Sequence, residues 1–197
     1  MKKTIIFVTL IVTAFILLSA TGRRSSSGAP ASHTGAPGEK NCSASGCHDD
    51  NKVNLGTAQL DVSIENNLSN IEEGKTYSIK IKISDANVTR FGFQVVALDE
   101  KTSENIGTFQ ITDSIRTQTI KNKYRLLDRN YVTYTFDGTD AVKKGNGEWA
   151  VNWVAPTTIK NKIIFYVSGV SANDDMTDKG DHTFTNSLTL SKTGNEK

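Results

Sequence analysis

Cysteine is scarce in this chain: 197 residues contain two, Cys42 and Cys47, five positions apart. A disulfide framework is therefore excluded, and the long region after residue 47 must be held by its own core. A bridge across so small a loop would act locally and contribute about 2 kcal/mol. Histidine is equally rare, with three residues, and no Ser/His/Asp arrangement can be argued from them. Charge of one sign never runs on, and the formal net charge is +2. That balance excludes a dedicated nucleic-acid binder. No stretch has the periodicity of a useful amphipathic helix, no internal repeat is visible, and only one apolar run approaches membrane-spanning length.

That run is at the N-terminus. Lys2 and Lys3 precede an apolar segment from Ile5 to Leu18, followed by the small residues Ser19, Ala20, Thr21 and Gly22. This is the order of a secretory signal, with cleavage expected after Ala20 or Gly22. The chain is therefore expected to work outside the cytoplasm, in a periplasm, at a cell surface or secreted. Membrane contact is expected only if residues 1–22 are not removed. About 175 residues follow the signal, enough for one domain.

Residues 23–40 are rich in Gly, Ser, Pro and Ala, with almost no large apolar side chain, and read as a flexible linker. A Cys/His segment occupies 41–52. From 53 to 192 the pattern is that of strands. Leu60, Val62 and Ile64 alternate with polar residues, as do Tyr77, Ile79, Ile81 and Ile83. Phe91 to Leu98 is more continuously apolar, as a central strand would be. Thr108–Ile111, Tyr131–Phe136 and Ile163–Val170 follow the same logic, and Leu188 and Leu190 suggest a last short strand. Trp149, Val151 and Trp153 share one face of a strand ended by Pro156, and are expected in the core. Seven or eight strands separated by turn signals such as Asp137-Gly138 and Gly145-Asn146-Gly147 predict an all-β sandwich, with 193–197 as a tail.

Three blocks carry a family resemblance: TGAPGEKNCSASGCH (34–48), RFGFQVVALDE (90–100), and WAVNWVAP (149–156) joined to IIFYVSGVSANDDMTDKGDHTFTNSLTL (163–190). In this order they resemble the bacterial Reeler-like domain called choice-of-anchor V. The resemblance implies an immunoglobulin-like β-sandwich, a secreted or surface setting, and no enzymatic activity. Members differ in their C-terminal anchoring signals. This chain stops at Asn195-Glu196-Lys197, so the N-terminal signal is expected to be its one tether. Related domains in extracellular matrix proteins, secreted defence proteins and haem-containing reductases leave recognition and redox roles both open, with a redox or surface partner unidentified.

Cys42, Cys47 and His48 form a C-x4-C-H cluster, a longer variant of the C-x-x-C-H signature of covalent haem attachment. In that reading both thiols add to haem vinyl groups, His48 is the proximal iron ligand, and Gly46 bends the loop so that both sulfurs reach. The resemblance, in which a Cys/Cys/His cluster recurs at this place, supports haem c and an electron-transfer role. The alternatives are a local Cys42–Cys47 disulfide in a binding or adhesion module, or a soft metal such as copper. Zinc would want a fourth ligand. His182 is the candidate sixth iron ligand, with His33 and Met176 behind it; a packed loop residue is the plainer role for His182. Asp174, Asp175, Asp178 and Asp181 lack EF-hand spacing and read as solvated turn residues.

Overall fold

The computed structural model describes residues 28–121 and 128–194. The expected signal peptide, residues 1–22, lies outside the described residues, as do 23–27 and 195–197. No helix among the described residues is long and apolar enough to cross a membrane.

Alternation of apolar and polar side chains builds two sheets. The first has strand order β1(Gln59–Ile64), β3(Thr76–Ser84), β8(Asn146–Val154), β5(Thr108–Gln110). The second runs β2(Asn70–Ile71), β10(His182–Lys192), β9(Ile163–Ala172), β4(Arg90–Asp99), β7(Asn130–Tyr134), β6(Thr117–Lys121). Every pairing is antiparallel except the short β2–β10 contact. The sheets pack face to face as a β-sandwich. Ile79, Ile81, Ile83, Trp149, Val151 and Trp153 on one inner face meet Phe93, Val95, Phe165 and Val167 on the other. Each such side chain contributes roughly 1.5–3 kcal/mol by leaving water.

The described residues hold ten strands, against the seven or eight expected. β2 is two residues long, and β6 (TQTIK) carries a single large apolar residue, so neither shows as an apolar alternation. β10 was expected to be short. It runs for eleven residues because register with β9, not its polar outer positions, sets its length.

β4 is buried on both faces. Phe91, Phe93, Val95 and Ala97 point into the sandwich, while Gln94, Val96 and Leu98 point outward. What covers that outward face is the stretch read as a linker. From Gly28 to Lys40 it lies across the six-stranded sheet as a strap, with Ala36 packed on Val96, Leu98 and Tyr131. Its anchors are polar. The Gln94 amide donates to the carbonyl of Pro30 at 2.9 Å and accepts from the His33 N–H at 2.7 Å. Ser32 Oγ lies 3.1 Å from Tyr131 Oη. Glu39 is paired with Arg129 at 2.6 Å, with side chains 0% and 2% exposed. Backbone groups and one buried ion pair hold a segment that has no large apolar residue, which is why its composition predicted mobility. At the other end, Thr193 donates its N–H to Ile71 at 2.8 Å, so the expected tail begins inside the sheet.

Candidate functional site

The Cys/His segment continues the strap across the same outer face. Asn41 Oδ1 accepts from the Ser43 N–H, Cys47 N–H donates to Ala44, and His48 N–H donates back to Cys42 at 3.2 Å. These bonds close a loop that brings the two cysteines alongside each other. Gly46 makes the turn with φ of +79°, in the region glycine enters without strain, as its place in the motif predicted. The Gly46 N–H donates to Asp49 Oδ2 at 3.1 Å.

Cys42 is 7% exposed. Its N–H donates to Ser168 Oγ on β9 at 3.1 Å, and that hydroxyl in turn donates to Phe184 O. Burial pushes the Cys42 thiol up to about 11; Ser168 partly opposes this and nearby Cys47 adds to it. Cys47 is half-buried, and the two are unbonded thiols here. Tyr134 lies beside both, its phenol pushed up by burial first and then by the two cysteines.

His48 Nδ1 is 2.6 Å from Asp181 Oδ2, with side chains 32% and 1% exposed. The other Asp181 oxygen accepts from the Asn173 N–H at 3.0 Å. A carboxylate can only accept, so Nδ1 carries a proton, and in the neutral ring the lone pair is on Nε2. Asn51 Nδ2 donates to Asp181 O, and Asn54 N–H to Thr183 O, so the segment is tied along the start of β10. Lys179 donates to Asp50 at 2.7 Å and holds that carboxyl below its usual range. Replacing Asp181 with alanine is expected to leave the His48 and Asn173 donors without their partner. The cost is about 1–3 kcal/mol, measured by thermal unfolding, and amide exchange should rise across 41–52.

Cys42, Cys47 and His48 are therefore brought together, and the distant candidates are not. His182 is on β10 with Phe184, whose side chain is in the core, so it faces the opposite side of the sheet from Asp181 and His48. Its Nδ1 is 3.1 Å from Leu55 O. His33 turns Nδ1 onto the Pro30 carbonyl at 2.9 Å, and Met176 is 76% exposed on the β9–β10 loop. Asp175 caps Thr177, Asp178 meets Lys179, and Asp174 meets Arg90, so the acidic loop spends its carboxylates locally. No group of three or more His, Cys, Asp or Glu side chains among the described residues could hold a metal. As folded, the donor set fits a haem at His48 and not at Cys42, whose sulfur would have to leave its seat on β9 to form a thioether.

Ser168, Tyr134 and Asp181 complete the site and escaped the sequence reading. Ser168 sits inside β9 and Asp181 just before β10, and only the pairing of these strands reveals that they face the loop.

The Cys42 thiol makes a pH prediction for the reduced protein. Its folded pKa is raised above its ordinary value of 9.0, to about 11. The stabilisation is thus complete below pH 9 and is lost as pH climbs through 11, a loss of about 3 kcal/mol. Urea titrations of the reduced protein across that window check it, and Cys42→Ser should flatten the profile.

A family model described as Reeler domain matches residues 42–175, from Cys42 to Asp175. The crystal structure of the Reelin-N domain of F-spondin is similar, with a TM-score of 0.50 and 20% identity, over 74% of this chain and 94% of that one. A human F-spondin reeler domain gives 0.49 and 19%, over 73% and 94%. A cohesin module from Clostridium perfringens gives 0.45 and 9%, over 69% and 98%. No curated protein matches the chain. The matched span takes in both cysteines, His48 and strands β1 to β9, and the chain belongs to the Reeler domain family.

Proposed function

We propose that this protein is an extracellular, non-enzymatic binding or adhesion module, in which Cys42 and Cys47 join as a local disulfide that closes the Cys/His loop at the end of the strap. The observation that carries this reading is the seating of Cys42. A cysteine that is 7% exposed, with its backbone bonded to Ser168, suits a structural half-cystine rather than an exposed attachment point. The fold of the F-spondin Reeler domains and the export signal expected in residues 1–22 support an extracellular setting.

One observation favours a second reading. Asp181 Oδ2 accepts from His48 Nδ1, the carboxylate–histidine pairing that stands behind metal-ligating imidazoles. A haem there would supply a one-electron couple with His48 as proximal ligand, and its thioether attachment would require Cys42 to leave its seat on β9. Intact mass of the protein, exported from cells that also carry a haem-attachment system, separates the two. Loss of two hydrogens relative to the reduced chain is expected. A haem-sized gain would overturn the disulfide reading and establish the second.

A further inference from the structure

At the same end of the sandwich as the Cys/His loop, but on the inner face of the sheet, β9, β10, the turn between β3 and β4 and the segment before β1 border a cavity of about 340 Å³. Its walls include Asp85, Ser171, His182, Asn173, Val88 and Gly56. Ser171 and His182 stand directly opposite each other in the β9–β10 register. The Ser171 hydroxyl, on a residue 2% exposed, donates to Asp85 Oδ2 at 2.5 Å. That bond fixes the carboxylate and leaves Oδ1 without a protein partner among the described residues. His182 Nδ1 faces the carbonyl of Leu55 at 3.1 Å. A carbonyl only accepts, so Nδ1 carries a proton, and in the neutral ring Nε2 is an acceptor.

A serine, a histidine and an aspartate thus meet in one cavity, but not in hydrolytic order. Ser171 gives its proton to Asp85 and not to the imidazole, so no base activates it. What the cavity offers is a fixed anionic acceptor and a neutral nitrogen acceptor over an apolar wall at Val88. No Lys or Arg lines it. The nearest cations are committed elsewhere, Lys179 to Asp50 and Arg90 to Asp140 and Asp174. A ligand that fits must bring donors and positive charge.

We propose that this cavity binds a protonated primary amine, with Asp85 as its counter-ion and His182 Nε2 as a second acceptor. The inference deepens the binding-module reading by giving such a module a ligand class, and rests on it only to that extent. A lysine side chain on a partner protein and an amino sugar share this chemistry. The test titrates the full exported protein with methylammonium, N-acetyl-lysine methylamide, glucosamine and glucose, following amide chemical shifts. The three amines are expected to move the Gly56, Asp85, Ser171 and His182 signals, and glucose is not. Asp85→Asn keeps an acceptor for Ser171 and is expected to weaken amine binding about tenfold or more. Tighter binding of the lysine derivative than of glucosamine points to a protein partner, and the reverse order to a glycan; either supports the proposal. Glucose matching glucosamine, shifts elsewhere only, or Asp85→Asn binding like the native chain overturns it. The mass measurement on Cys42 and Cys47 is untouched by any of these outcomes, so the two proposals fail separately.

Discussion

Arg129→Ala is expected to destabilise the protein by about 3–5 kcal/mol, because it leaves the Glu39 carboxylate buried without its counter-charge. The guanidinium meets Glu39 Oε1 at 2.6 Å, Pro37 O at 3.1 Å and Ser103 O at 2.7 Å. Tyr131 donates to the same Glu39 oxygen at 2.7 Å, and Thr34 Oγ1 donates to the other at 2.6 Å. One side chain therefore joins the strap, β7 and the turn after β4. Its loss should lower the urea midpoint. It should also let the strap lift, so that Cys42 in the reduced protein becomes open to alkylation at neutral pH, where the native thiol is protected. Replacing both partners with apolar residues, Arg129→Met with Glu39→Leu, is expected to cost less than Arg129→Ala alone. Unchanged stability together with a protected Cys42 would mean that the ion pair does not hold the strap.

Trp153→Ala is expected to cost a comparable amount, about 3–5 kcal/mol, for a different reason. The indole is fully buried between the sheets, edge-on to Phe165 at 5.1 Å and 78°. Its Nε1 donates to Ile106 O at 3.1 Å. Alanine leaves a cavity and an unpaired carbonyl together. Trp153→Phe fills most of the space and should lose less. Gly107 gives an independent check of the same packing. Its φ is +66°, and an added Cβ would come within 2.4 Å of the Trp153 ring, which cannot move within the core. Gly107→Ala should therefore approach the effect of Trp153→Ala in thermal unfolding. A domain of this kind has about 5–15 kcal/mol in total, so either change brings it near the unfolding threshold. A small shift in melting temperature for both would show that the sheets repack around the site.

The two sheets were legible because their inner faces are written in side chains. Ile79, Ile81 and Ile83, or Trp149, Val151 and Trp153, announce a strand and its buried face by alternation alone. The apolar run in β4, interrupted only by Gln94, marked a central strand, yet nothing in it said what lay on its outer side. That cover is residues 28–42. Its attachment is made by Gln94 on one strand, Arg129 and Tyr131 near another, and Ser168 on a third. Contacts between residues more than fifty positions apart leave no local pattern, and small residues such as Ala36 disguise a packed segment as a mobile one. The cysteines and His48 were visible as chemistry. Asp181, which fixes the imidazole, was read as one of four turn carboxylates, and only the hairpin that returns it to His48 sets it apart. His182 failed as an iron ligand for a related reason, since neighbours on a strand face opposite ways.

The strap also sets a distance. A free linker from 23 to 40 would let the sandwich roam some 60 Å from whatever holds residue 22. Gly28 is already packed on the sheet, so the five residues between it and Gly22 can span at most about 18 Å. A chain whose apolar N-terminus stayed in a bilayer would hold the sandwich close against the surface, its Gly28 end turned toward the lipid. A chain cut after Gly22 would carry only a stub. Retention and release would thus present different faces of the same domain to its partners.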